Sequence, residues 1–248
     1  MTNTIPAVPN REKFEWAVFM YNIMTKYDTA YMEARIKLAS AEKRNDSNKI
    51  GCEVLKFLNK WNSRVPLKNG ETKKEISKWY EKNNNTLQEL KNLIDIKDED
   101  YETINECYCS IEIEGIGPTG KSKILHILKP KLFMAWDTEI ANRYDYDQDA
   151  NGYVDFIKKM KDFAETIMDW CMGDICEAKY LTEKIKSLYE QRVEKEADPK
   201  AQKELEDKIT FFSKEIIGES IELTKLIDEY NWVTLTNKVI VPPKWHPE

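Results

Sequence analysis

A chain of 248 residues with 33% charged side chains, 41% hydrophobic residues and only eight glycines suits a helix-rich globular protein with a sizeable core better than a sheet built on tight turns. Its net charge of −6 argues against a uniformly basic nucleic-acid binder, yet the charge is uneven: Lys49 to Lys82 carries nine Lys/Arg against four Glu, and Gly117 to Lys131 has four Lys and no acid. No uncharged run approaches the roughly 18 apolar residues of a membrane span, and MTNTIPAVPNREKFEW has no apolar signal core, so a cytoplasmic protein without a membrane partner is expected.

In chain order, Phe14, Val18, Tyr21, Ile23, Tyr27, Tyr31, Ala34 and Leu38 recur at three- and four-residue steps, predicting one long or two shorter amphipathic helices over 11–44. Asp46 can open a second helix through GCEVLKFLNKWNSR, which Pro66 and Gly70 interrupt. Helices are expected over 72–83, 86–95 and 99–112, and the last of these ends at the turn EGIGPTGK. KSKILHILK then makes a helix stopped by Pro130, and Asp137 or Thr138 can cap another, EIANRY. Charged helical patterns follow over 153–172, 174–196 and 199–230, with an exposed helical hairpin turning at Asp198-Pro199, and WVTLTNKVIVPPKW (232–245) reads as extended. The five cysteines are odd in number and lack C-x-x-C spacing, and with two histidines present no zinc site, other metal or cofactor is expected; buried reduced thiols are.

Gly115 to Ser122 satisfies the phosphate-loop pattern G-x-x-x-x-G-K-[ST]. That motif needs a buried apolar strand ahead of it, and Glu106, Glu112 and Glu114 interrupt the required run. Fifteen residues between Lys121 and Asp137 are also too few for a parallel crossover that would set an acidic strand beside the loop. A turn between two helices fits better. Glycines let the backbone bend, and free amides at the start of the next helix, with Lys121, Lys123, Lys129 and Lys131 nearby, suit a nucleic-acid phosphate.

IEGIGPTGKSKILHILKPKLFMAWDTEIANRY resembles the signature of the helix-hairpin-helix DNA glycosylase superfamily: a hairpin of type hxGhGxxxA, a helix, a short loop, and an aspartate opening a helix in a pattern such as VDTxhxR. About thirty residues carry the match. The resemblance implies an all-α, helix-hairpin-helix glycosylase-like fold in two helical layers with a cleft between them. It divides the chain into 1–45, packing with the C-terminal helices; 46–146, the hairpin domain; and 147–248, a C-terminal helical region with an extended tail. It makes Asp137 the catalytic carboxylate and gives the backbone contacts to Gly115, Gly117, Thr119, Gly120, Lys121, Ser122 and Lys123.

By order in the chain, the base pocket or wedge falls on FLNKWNSRVPLKNG: Trp61 to stack, Asn62 to read a base edge, Arg64 or Leu67 to enter the duplex, with Trp136 packing against the extruded nucleotide. Trp61 as plain core and Arg64 as a surface charge stand beside that reading, as an ordinary helix cap stands beside Asp137. Thr119 occupies the place of the lysine used by strand-cutting members, and no four cysteines follow for an iron–sulfur cluster. The implied activity is therefore monofunctional: hydrolysis of the N-glycosidic bond of a damaged or modified base in double-stranded DNA, in repair or in defence against phage DNA. The competing readings are a non-catalytic DNA-binding protein and a phosphate-loop nucleotide binder. No obligate protein partner is evident. Separately, Asp147, Asp149, Asn151, Gly152, Val154 and Asp155 match an EF-hand loop until Lys158 replaces its bidentate glutamate, which favours a simple turn.

Overall fold

The computed structural model describes residues 10–24, 27–61, 70–170 and 222–238, with Pro6, Ser63, Val65 and scattered positions between 187 and 206. Among these residues every regular element is a helix, and no helix is long and apolar enough to cross a membrane.

The N-terminal periodicity resolves into two helices, α1 (Arg11–Met24) and α2 (Tyr27–Glu42). Helix α3 (Ser47–Lys60) begins where Asp46 caps it, its carboxylate accepting from Lys49 N at 2.9 Å. Ile50, Val54, Phe57 and Leu58 form its buried stripe. Helix α4 (Glu71–Glu89) crosses α3 closely at Gly51, where a Cβ would lie 2.2 Å from Ser77 Oγ and 2.6 Å from the Lys73 carbonyl oxygen. Two separate helices were expected over 72–95. The run KNNNT instead stays helical: Asn83 Nδ2 donates to the Trp79 carbonyl one turn back, while Ile76, Trp79, Tyr80 and Leu87 bury one face, and the chain leaves the helix at Leu90.

Helix α5 (Asp100–Cys109) leads through the glycine turn into α6 (Pro118–Leu128), packed against α2, α3 and α5. After α6 a turn, in which Leu132 N and Phe133 N both donate to the Lys129 carbonyl, leads into a non-helical stretch, and all five side chains of Leu132–Trp136 are at most 2% exposed. A buried non-helical segment must find partners for its backbone groups. Here side chains from the flanking helices supply them. His126 Nδ1–H donates to the Phe133 carbonyl at 2.7 Å, Tyr153 Oη donates to the Met134 carbonyl at 2.7 Å, and Ser122 Oγ accepts from Trp136 N at 3.2 Å.

Helix α7 (Thr138–Tyr144) follows, then α8 (Ala150–Trp170). The EF-hand-like stretch is the start of α8: Asp149 caps Gly152 N at 2.8 Å, and Asp155 pairs with Lys158 at 3.0 Å. No cluster of three metal-ligating side chains occurs among the described residues. The final described helix, α9 (Leu223–Asn231), packs on α1 and α8 and passes into a π-helical turn, Trp232–Thr236. That turn corrects the extended reading of 232–236. Val233 and Leu235 alternate as a strand would, but burial against α1 and α7 holds them on a wound backbone. Of the helices expected over 174–196 and 199–230, residues 174–186 and 207–221 lie outside the described residues, as does the tail 239–248.

Of the cysteines, Cys107 is buried and burial raises its thiol pKa to about 11; Cys52 is half-buried, and Cys109 is exposed, contrary to the expectation of buried thiols.

Candidate functional site

The glycine turn is built for close backbone approach. Gly115 takes φ +82°, in the left-handed region that favours glycine, and Ile116 N closes the turn on the Ile113 carbonyl at 3.0 Å. Gly117 then caps α6 with Pro118 at its first position, so the turn offers the Thr119 and Gly120 amides, which lack partners within the helix. A cleft of about 160 Å³ opens there, floored by Gly115–Gly120 and flanked by Ser63, Val65, Thr138 and Gln148. The Ser63 hydroxyl and the Gln148 amide nitrogen are buried without a protein partner, two donors that the sequence did not single out. The turn joins helix to helix, and no strand occurs among the described residues, so the sheet edge that a nucleotide phosphate loop requires is not there.

Asp137 caps α7. Its Oδ1 accepts from Ile140 N at 2.8 Å and its Oδ2 from Thr236 Oγ1 at 2.8 Å, so one carboxylate is clamped between a helix N-terminus and the π-turn. It lines a second pocket of about 310 Å³. The signature region contributes Thr119, Lys123, Ala135 and Ile140 to that pocket, the N-terminal half contributes Tyr21 and Trp61, and the C-terminal elements contribute Asp228, Trp232 and Thr236. Thr119 borders both cavities.

Several expected backbone contacts have other work. Ser122 is fully buried; its hydroxyl reaches the Thr119 carbonyl at 3.0 Å and accepts from Trp136 N, bracing α6 against the segment that carries Asp137. It is a strut, not a DNA contact. Lys123 points inward: its Nζ donates to the Trp61 carbonyl at 2.7 Å, and burial holds its pKa below the usual lysine value although Asp228 and Asp137 oppose that shift. Lys121, in the first turn of α6, lies 5.5 Å over the ring of Tyr108 on α5.

Of the expected wedge residues, Asn62, Arg64 and Leu67 lie outside the described residues. Trp61 is 5% exposed and stacks with Tyr31 and His126 at 5.7 and 6.2 Å while forming part of the pocket wall. Trp136 also reaches the pocket wall; the residue is 1% exposed and its ring packs among Tyr153, Phe156 and Tyr108. No family model, curated protein or solved structure matches the chain.

Behind the Tyr21 and Trp61 walls lies a charge pair that periodicity could not announce. Lys225 and Glu229 are at most 1% exposed and bridged at 2.5 Å, with the ammonium 4.3 Å from the Tyr21 ring centroid. His126 beside them is held neutral, its pKa pushed down to about 3 by burial, with the Phe133 carbonyl bond opposing that shift.

The basic segment 49–82 is partly neutralised. Lys49 and Lys56 each approach Glu53 at 3.0 Å, and Lys60 approaches Glu33 at 2.7 Å. Burial works against the Glu53 carboxylate, but the two lysines outweigh it and keep the group acidic. Lys74, Lys78 and Lys82 remain exposed at four-residue steps on α4.

Proposed function

We propose that the chain is a monofunctional DNA glycosylase, hydrolysing the N-glycosidic bond of a damaged or modified base extruded from double-stranded DNA and leaving an abasic site. The observation that carries this reading is the clamped Asp137 carboxylate in an aromatic-walled pocket that shares Thr119 with the glycine-turn cleft. A DNA phosphate at the Thr119 and Gly120 amides would set the backbone at the cleft, and the nucleotide beside it would swing into the pocket. In this reading α5, the turn and α6 act as the helix-hairpin-helix unit, and the pocket lies in a cleft between two helical layers.

As the base departs with the bonding electrons, positive charge grows on the deoxyribose. The Asp137 carboxylate stabilises that charge and orients a water whose oxygen adds to C1′; the water's proton passes to the carboxylate, and the departing base is protonated from solvent. The braced segment 132–136 and the two hydrogen bonds to Asp137 hold the carboxylate in advance, so little reorganisation is needed.

The test incubates the protein with duplexes carrying alkylated, oxidised, deaminated or phage-type modified bases and measures free base and alkali-labile abasic sites. Release of base, lost in Asp137→Asn, supports the assignment. The cap bonds of Asp137 favour the non-catalytic alternative, which predicts DNA binding with no base released from any duplex.

A further inference from the structure

On the glycosylase reading, we propose that Lys123 hands the departing base its proton, so that the pocket serves neutral bases, the deaminated and oxidised kinds, in preference to cationic alkylated ones. Solvent stays the source of the proton, and Lys123 is its last carrier.

Thr119, on the border of the two cavities, and Lys123 stand four residues apart on α6, so they share one face of that helix with the lysine one turn further along. Lys123 and Asp137 line the same 310 Å³ pocket, and the carboxylate is near enough to act on the ammonium's charge. An ammonium carries three N–H donors. The Trp61 carbonyl takes one at 2.7 Å, and the Trp61 ring lies 5.7 Å from the nitrogen, so the amine is anchored while its other donors can meet a ligand.

Desolvation makes this ammonium a better acid than an exposed lysine. Burial lowers its pKa, and the two charged groups that act on it, Asp228 from α9 and Asp137 at the start of α7, only partly oppose the shift. Tyr21, from α1, is the other titratable side chain on the described pocket wall. A pKa drawn down towards the working pH favours proton transfer to a leaving group.

When the bond from C1′ to a neutral base breaks, its electron pair stays with the base as negative charge shared by ring nitrogens and any carbonyl oxygen. An N–H of Lys123 meets one of those atoms, the proton crosses, and the amine left behind takes a proton from solvent. The water that adds to C1′ gives its own proton to Asp137, which returns it to solvent, so one water is consumed for each bond broken. A 7-methylguanine nucleotide is already cationic and departs as a neutral base. It needs no proton, and an ammonium beside it repels its charge.

The experiment measures single-turnover base release by the full-length protein from duplexes carrying hypoxanthine, uracil, 8-oxoguanine or 7-methylguanine, each rate divided by the spontaneous one. Wild type should accelerate at least one neutral base more than 7-methylguanine, a comparison that needs no variant to fold. Lys123→Met should lower the ratio of that neutral base to 7-methylguanine by about 10²- to 10⁴-fold, whereas a packing role would slow both alike and leave the ratio unchanged. Lys123→Arg keeps the charge and the donors but does not give up its proton at working pH, and it should not restore the rate. As pH rises through the lowered lysine pKa the ammonium is lost, so wild-type release of the neutral base should fall more steeply than that of Lys123→Met; ionisation of the substrate is common to both.

Acceleration of 7-methylguanine above every neutral base, an unchanged ratio in Lys123→Met, full activity in Lys123→Arg, or borohydride capture of the DNA on Lys123, which makes the amine a nucleophile, overturns the proposal. Each of these outcomes leaves the glycosylase standing. Absence of base release from every duplex removes both.

Discussion

Replacing Asp137 with asparagine separates its charge from its scaffolding. Asparagine caps helices as well as aspartate does, so its Oδ1 keeps the 2.8 Å bond from Ile140 N. Its Nδ2 can donate to Thr236 Oγ1 once that hydroxyl turns its proton away, so the 2.8 Å contact survives with donor and acceptor exchanged. Stability should therefore change by less than about 0.5 kcal/mol.

Asp137→Ala loses both contacts. The cap contributes about 1 kcal/mol and the threonine bond about another. Their sum, about 2 kcal/mol, corresponds to a fall of roughly 4–8 °C in Tm for a chain of this size. In catalysis the two variants should behave alike, because both remove the negative charge that faces the developing oxocarbenium ion. Losses of about 10²- to 10⁴-fold in single-turnover base release are expected from removing such a group. Thermal melts followed by circular dichroism, paired with base release from the most reactive duplex, give both numbers. If Asp137→Asn keeps wild-type turnover, or loses activity only in proportion to a lowered Tm, the carboxylate is a cap and nothing more.

The buried pair gives an independent stability test: Lys225→Met removes the cation bridged to the buried Glu229 and should cost about 3–5 kcal/mol, whereas Lys225→Met combined with Glu229→Leu should recover most of that loss in urea titrations. Gly51→Ala pits a helix-propensity gain of about 1 kcal/mol against a Cβ set 2.6 Å from the Lys73 carbonyl oxygen. Because backbone cannot rotate away, α3 and α4 must part, and a net loss of about 1–2 kcal/mol is expected in the same assay. Ser122→Ala should destabilise by about 1–3 kcal/mol and leave the salt dependence of DNA binding unchanged, since its hydroxyl serves Trp136 and not a phosphate.

His126 links stability to pH. Its native pKa of about 3 lies below the unfolded value near 6.5, so between those limits the unfolded chain binds the extra proton. Stability present above about pH 6.5 is lost as pH falls towards 3, with a slope approaching about 1.4 kcal/mol per pH unit from this one group. Urea midpoints between pH 7 and 4.5, compared with those of His126→Phe, should show the histidine's share as a flatter slope in the variant.

Composition and periodicity determined the helical class, because apolar residues at three- and four-residue steps can bury a face only when the backbone is helical. Local chemistry also fixed the caps at Asp46 and Asp137, since a carboxylate three residues before a free amide finds it without help from distant chain. The glycine turn between helices was legible for the same reason: Gly115 and Gly117 and the following proline act on their own neighbourhood.

What the sequence could not announce are the meetings of distant segments. Thr236 reaches Asp137 across 99 residues, and Asp228 and Trp232 complete a pocket begun by Tyr21. Those residues carry no local pattern, because their roles are set by which helix faces pack together. His126 and Ser122 read as an ordinary histidine and a motif serine until the buried segment 132–136 demanded hydrogen-bond partners. Lys123 read as a DNA-backbone contact until α6 was packed against α2, α3 and α5 and its amine was turned onto the Trp61 carbonyl. Propensity and capping act within a few residues and so are written in the sequence; burial, charge pairing and the walls of a pocket exist only after the helices have packed.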